Sequence, residues 1–90
     1  MSHAARNKDK LIARVRRLQG QLEGVERALE ADAECAEIMR QLASIRGAMT
    51  GLNAEVIEEH IREHVLAADA AKARQLAGEE LIEVIRTYLK

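Results

Sequence analysis

Four side chains in this sequence are able to bind a transition metal: His3, Cys35, His60 and His64. His60 and His64 stand four residues apart, so on a helix they project from one face and can share an ion. Taken alone, that spacing is common on helix surfaces, and a lone cysteine is more often a small buried hydrophobe than a ligand. A thiolate with two imidazoles is a borderline-soft donor set, suited to divalent cobalt, nickel, zinc or copper(II). His3 can add a donor from the N-terminus, and loss of Met1 ahead of the small Ser2 would set a free amine beside it. The plainer account of His3 is an ordinary tail residue.

Helix geometry decides how these groups can meet. If residues 35 to 60 form one helix, its ends lie about 37 Å apart at about 1.5 Å per residue. Cys35 then cannot reach His60 and His64 of its own chain. Two copies of the helix packed antiparallel bring them together, with the crossing inside Gly47-Ala48-Met49-Thr50-Gly51. Small residues there permit close approach. The expectation is an antiparallel helical dimer with two equivalent Cys/His/His sites, one at each end. Cys35 falls in the first turn of its helix, where the positive end of the dipole favours thiolate, while Glu34 and Glu37 oppose it.

A second cluster is basic. Residues 1–20 carry Arg6, Lys8, Lys10, Arg14, Arg16 and Arg17 against Asp9, a local charge of +5. Residues 21–40 carry Glu23, Glu26, Glu30, Asp32, Glu34 and Glu37 against Arg27 and Arg40, a local −4. Lys10, Arg14, Arg16 and Arg17 decorate the outside of the first helix, and Arg46 lies beside the proposed dimer centre. Together they make a candidate positive stripe for the phosphates of double-stranded DNA. A merely solvated surface is the commoner meaning of a charge run. No helix-turn-helix, zinc-finger or basic-zipper pattern is present, so nothing argues direct base reading. No nucleophile–base–orienter set or phosphate loop is present either, and an enzyme is not expected.

The elements that must position these groups are helices. Leu11, Val15, Leu18, Leu22, Val25 and Leu29 step by 4, 3, 4, 3, 4, a heptad seam. Ile38, Leu42, Ile45, Met49, Leu52 and Val56 repeat that rhythm, with Ile57, Ile61 and Val65 as a second apolar line. Leu81, Ile82, Ile85 and Leu89, widened by Val84 and Tyr88, mark a third apolar face. The pattern predicts an all-α chain with helices over about 5–30 and 33–66 and a third toward the C-terminus. Asp32 is a candidate N-cap of the second helix and Asp69 a candidate cap for the third. Gly20 and Gly24 imply close helix contact, and Gly78 blurs where the third helix starts.

Ninety residues with no Pro, Phe or Trp and a single Tyr make one domain, 1–90, with a thin aliphatic core. Such a chain is expected to oligomerise. A single cysteine rules out an internal disulfide framework. No apolar stretch follows the start, so neither a signal peptide nor a membrane span is expected. The expected location is the cytoplasm, where a thiol stays reduced.

The stretch Arg14-Val15-Arg16-Arg17-Leu18-Gln19-Gly20-Gln21-Leu22 strongly resembles the first helix of the CsoR/RcnR family of metal-sensing repressors. So do Glu34-Cys35, Gln41-Leu42-Ala43-Ser44-Ile45-Arg46-Gly47-Ala48, Gly51-Leu52-Asn53-Ala54-Glu55-Val56-Ile57 and the closing Tyr88-Leu89-Lys90. The likeness spans essentially the whole chain. It implies a three-helix protomer, an antiparallel dimer and a homotetramer built as a dimer of dimers. It also implies operator binding by the metal-free form and derepression of an efflux or detoxification operon. Position 64 is His64, unlike the cysteine that the copper(I) sensors resemble one another in having, and the second cysteine of the persulfide sensors is absent. The formaldehyde sensors, whose helix-2 cysteine acts with a proline after the initiator Met, are near relatives, although Ser2 stands at that place here. The nickel/cobalt branch looks like His3, Cys35, His60 and His64 after a Met-Ser-His start, and all four are present. Asn53 stands where a Met is common in the family. The DNA-contact arginines correspond to Arg14, Arg16, Arg17 and Arg46. Two rival classes remain: a formaldehyde-responsive repressor with Cys35 as nucleophile, and a plain helical assembly module.

Overall fold

The computed structural model describes residues 7–89. Helix α1 runs from Lys8 to Glu30, α2 from Cys35 to His60 and α3 from Ala71 to Tyr88. A π-helical stretch, Ile61–Leu66, continues directly from α2. No strand occurs among the described residues, so the all-α, three-helix expectation holds. The long second helix reaches residue 66 as expected, but its last six residues switch to the wider π repeat. None of these helices is long and apolar enough to cross a membrane.

Contacts divide the chain into two compact units, residues 7–53 and the described residues from Ala54 onward. In the first, the heptad seams separate into two halves. Leu11, Leu18 and Val25, seven residues apart on α1, are buried. Leu18 and Val25 form a core with Ile45 of α2, flanked by Ile38, Ala48 and Leu52. The alternate seam positions Val15, Leu22 and Leu29 of α1, and Leu42 and Met49 of α2, remain exposed. Leu18 and Val25 with Ile45 therefore join α1 to α2, while Val15, Leu22, Leu29, Leu42 and Met49 are left open by the described residues.

The turn between α1 and α2 corrects one assignment. Asp32 has φ 55°, in the left-handed region. Its N–H reaches the Leu29 carbonyl at 3.1 Å, and the Ala33 N–H reaches the Ala28 carbonyl at 2.9 Å. This pair of bonds is the Schellman closure of α1, with Asp in the place usually given to Gly. Asp32 thus ends the first helix instead of capping the second, which begins three residues later at Cys35. Close packing at Gly20 is also not needed within this chain, since a Cβ there would meet nothing within 4 Å, and at Gly24 it would make only ordinary contact.

In the second unit, α3 packs against the π segment. Ala77 of α3 and Glu59, near the end of α2, are buried. Asp69 does not cap α3: the N-cap is Ala70, with no side-chain cap bond. Gly78 lies well inside the helix. Of the apolar face expected on α3, Leu81 is half-buried, whereas Ile82, Val84, Ile85, Tyr88 and Leu89 are exposed.

Candidate metal centre and nucleic-acid interface

His60 is the last residue of α2, and His64 lies on the following π turn. Their ring centroids are 5.3 Å apart with planes tilted by 41°. The His60 Nε2 lies 2.9 Å from the carbonyl oxygen of Ala77. A carbonyl can only accept, so His60 donates this bond through Nε2. A backbone carbonyl holding one ring nitrogen while the other faces an ion is the usual support for a metal-binding imidazole. At this separation the two rings are neighbours on one side of the chain, as their spacing of four leads one to expect. The π turn that carries His64 is a form of helix found disproportionately at functional positions.

Cys35 is the first residue of α2, with an exposed free thiol. Beyond it in the same turn, the Glu37 carboxyl is held below its usual range, first by a hydrogen bond from Gln41 and then by Arg40. Arg62, on the π segment, is correspondingly raised by its hydrogen bond and ion pair with Glu58 at 2.8 Å. Both pairs are surface pairs and contribute little to stability. Among the described residues no three His, Cys, Asp or Glu side chains gather into a metal-holding group. Among the described residues, His60 and His64 come together and no metal-holding group of three forms around them. His3 lies outside the described residues.

The basic cluster also resolves into parts. Arg14 and Arg17 line a cavity of about 380 Å³ together with Gln21, Ser44 and Ala48. A Cβ added at Gly51 would stand 3.1 Å from Nη1 of Arg14, so the guanidinium lies where a side chain on α2 would otherwise be. A Cβ there would need the end of the Arg14 side chain to give by a few tenths of an ångström. Gln21 donates through Nε2 to the Ser44 hydroxyl at 3.3 Å, bridging α1 to α2. Lys10, Arg16 and Arg46 are exposed and do not line this cavity. Sequence reasoning missed Gln21, Ser44 and Gly51 as neighbours of the arginines, and it missed the burial of Glu59. The spacing of Arg14, Arg17 and Gln21 by three and four was the available signal for the first group; nothing in residue type separates Glu59 from Glu58.

The sequence profile described as "Metal-sensitive transcriptional repressor" matches residues 7–87. An uncharacterized protein from the bioA 5′ region of Serratia marcescens is 50% identical over the full length of both chains. The transcriptional repressor RcnR of Citrobacter koseri is 39% identical, again over the full length of both. Among solved structures, a variant of the formaldehyde-responsive regulator FrmR from Salmonella enterica serovar Typhimurium superposes with a TM-score of 0.87 at 36% identity. That match covers 96% of this chain and 98% of FrmR. A profile match over residues 7–87 and full-length relatives at 39–50% identity show that the chain belongs to the metal-sensitive transcriptional repressor family, a family of DNA-binding regulators and not of enzymes.

Proposed function

We propose that this chain binds operator DNA in its metal-free form and leaves it when a divalent transition metal is bound, derepressing an efflux gene. Nickel and cobalt are the proposed inducers, with zinc and copper(II) admitted by the same donor chemistry. Cys35 of one protomer would hold the ion with the partner's His60 and the partner's His64, and His3 is the candidate further ligand. The observation that carries this reading is the His60–His64 pair, 5.3 Å apart, with His60 oriented by the Ala77 carbonyl.

The cross-protomer arrangement has support in the exposed face of α2. Cys35, Met39, Leu42 and Met49 are all exposed and recur at steps of four, three and seven, one side of a helix. Counting on from Met49 by seven and four reaches Val56 and His60. An antiparallel partner on this seam would cover the uncovered apolar positions and oppose Cys35 to the partner's histidines. The exposed faces of α1 and α3 would serve the second contact of a homotetramer in the cytoplasm, each protomer being one 1–90 repressor domain.

On this reading the residues act in a stated order. The Cys35 thiol and the imidazoles must be unprotonated to serve as ligands, so binding releases protons and weakens toward acid pH. His60 is tied to α3 through Ala77, so a turn of its ring is felt by α3. Lys10, Arg14, Arg16, Arg17 and Arg46 are the proposed phosphate contacts, and a shift of the helices that carry them moves them off the fixed spacing of the phosphates. By linkage, metal and DNA each lower the affinity for the other by one common factor, typically about 5–150-fold.

The test is the affinity of the metal-free protein for the duplex upstream of its own gene, repeated with saturating nickel, cobalt and zinc. Equal affinity under all conditions would sink the metal reading. A second reading, response to formaldehyde with Cys35 as nucleophile, draws on the likeness to FrmR. Release by formaldehyde but by none of the metals would install it instead.

A further inference from the structure

We propose that Arg46 and Asn53 pair between two protomers and set the register in which Cys35 meets the partner's histidines, which makes them positioning residues for the metal site. This rests on the antiparallel dimer proposed above and gives a role to two residues that the metal chemistry does not involve.

The row of α2 that carries Cys35 and His60 is a complete heptad seam. Cys35, Met39, Leu42, Arg46, Met49, Asn53, Val56 and His60 step by 4, 3, 4, 3, 4, 3, 4. Between its two ends, Arg46 and Asn53 are the only polar members. Both are exposed, and neither side chain bonds to another group among the described residues. A wholly apolar seam sets no register, because a slip of one heptad again lays apolar against apolar. A polar residue in such a seam removes that freedom at a cost in stability.

The spacing of this pair matches that of the ligands. Arg46 lies 11 residues after Cys35, and Asn53 lies 11 residues before His64. In an antiparallel pair, the register that faces Cys35 with the partner's His64 therefore faces Arg46 with the partner's Asn53. The two-fold axis makes that contact twice. With Cys35 against the partner's His60 instead, Arg46 and the partner's Asn53 are offset by four residues, about 6 Å along the axis. A long arginine side chain spans that offset. The Asn53 side-chain carbonyl accepts from the guanidinium, whose five donors leave others for a phosphate at the rim of the seam. The neighbouring registers are worse. A slip of one heptad one way sets Arg46 against the partner's Arg46, like charge on like charge. The opposite slip faces Asn53 with the partner's Asn53 and Arg46 with the partner's His60. A parallel pair in register also opposes the two arginines.

The test uses the single native cysteine as a ruler. A nitroxide on Cys35 of the metal-free protein reports the separation of the two Cys35 residues in the dimer by double electron–electron resonance. The proposed registers place them about 38–44 Å apart, one heptad of slip changes that by about 10 Å, and a parallel pair brings them to about 10 Å. Asn53→Arg faces arginine with arginine. It should weaken self-association at least about tenfold in sedimentation equilibrium and broaden the distance distribution, with helicity checked by circular dichroism. Adding Arg46→Asn to it exchanges the two residues and restores the pair in the same register. The parent distance and association should then return, together with the thiolate–cobalt(II) band of the unlabelled protein. If the parent shows the expected distance and Asn53→Arg neither broadens it nor weakens association, the pair is refuted while the antiparallel dimer stands. A double variant no better than Asn53→Arg refutes the pair equally. If the parent is a monomer, or its distance lies outside the proposed window, the dimer reading itself fails and this inference with it.

Discussion

Replacing both Leu42 and Met49 by Gln would expose how this chain associates. Gln keeps side-chain length and helix propensity, so α2 should form unchanged. Leu42 is 47% exposed and Met49 50% exposed. Full burial of such a side chain is worth about 2 kcal/mol, so covering the remaining half yields about 1 kcal/mol each. A symmetric dimer covers both residues twice, which brings the loss on substitution to about 4 kcal/mol, or about a thousandfold in the dimer dissociation constant. If the stripe instead stays in water, the same changes are worth no more than about 0.5 kcal/mol. Sedimentation equilibrium over a range of concentrations separates the two cases. An unchanged association constant would refute the assignment of this face to the dimer, and with it the alignment of Cys35 against the partner's histidines.

Three further outcomes are expected. Asp32→Gly should raise stability by about 1 kcal/mol in urea denaturation, because Gly adopts the left-handed φ of 55° without the strain Asp carries; a loss of stability would show that the Asp32 side chain does more than end the helix. Gly51→Ala should act with opposite signs on two assays: helix propensity adds up to about 1 kcal/mol to stability, while the Cβ displaces the Arg14 guanidinium from its 3.1 Å seat and weakens DNA binding. Both quantities moving together would contradict the seating of Arg14. Arg17→Ala should leave the fold intact, since its side chain is exposed, and should reduce the slope of log affinity against log salt by about 0.9, the loss of one phosphate contact.

How far the sequence could be read follows from which interactions are local. The two heptad seams fixed α1 and α2, because a period of 3.5 is a property of a single helix. They did not say which half of each seam faces the neighbouring helix; Leu18 and Val25 meet Ile45, whereas Leu22 and Met49 stay uncovered, and only the register between helices decides that. Asp32 was placed in the right turn with the wrong role, since a short carboxylate can start one helix or sit left-handed at the end of another. The π turn at Ile61–Leu66 left no trace in the hydrophobic pattern, being a single widened turn. The His60–His64 pair was legible from its spacing of four; the Ala77 carbonyl that orients His60 was not, because a backbone acceptor has no residue-type signature. Gln21 and Ser44 were invisible as a pair for a related reason: they lie 23 residues apart and meet only through the packing of two helices.

The central claim is that the metal site is assembled from two copies of the chain, and subunit complementation with cobalt(II) tests it most directly. One preparation carries Cys35→Ala, the other His60→Ala with His64→Ala; neither alone should show the thiolate–cobalt absorption band. After the two are unfolded together and refolded as a mixture, half of the dimers are hybrids, and each hybrid pairs the surviving Cys35 with the surviving histidines at one of its two ends. The band should therefore return at about a quarter of the parent intensity, as isologous pairing requires. A mixture as silent as its components, despite confirmed exchange of subunits, would contradict the cross-protomer site.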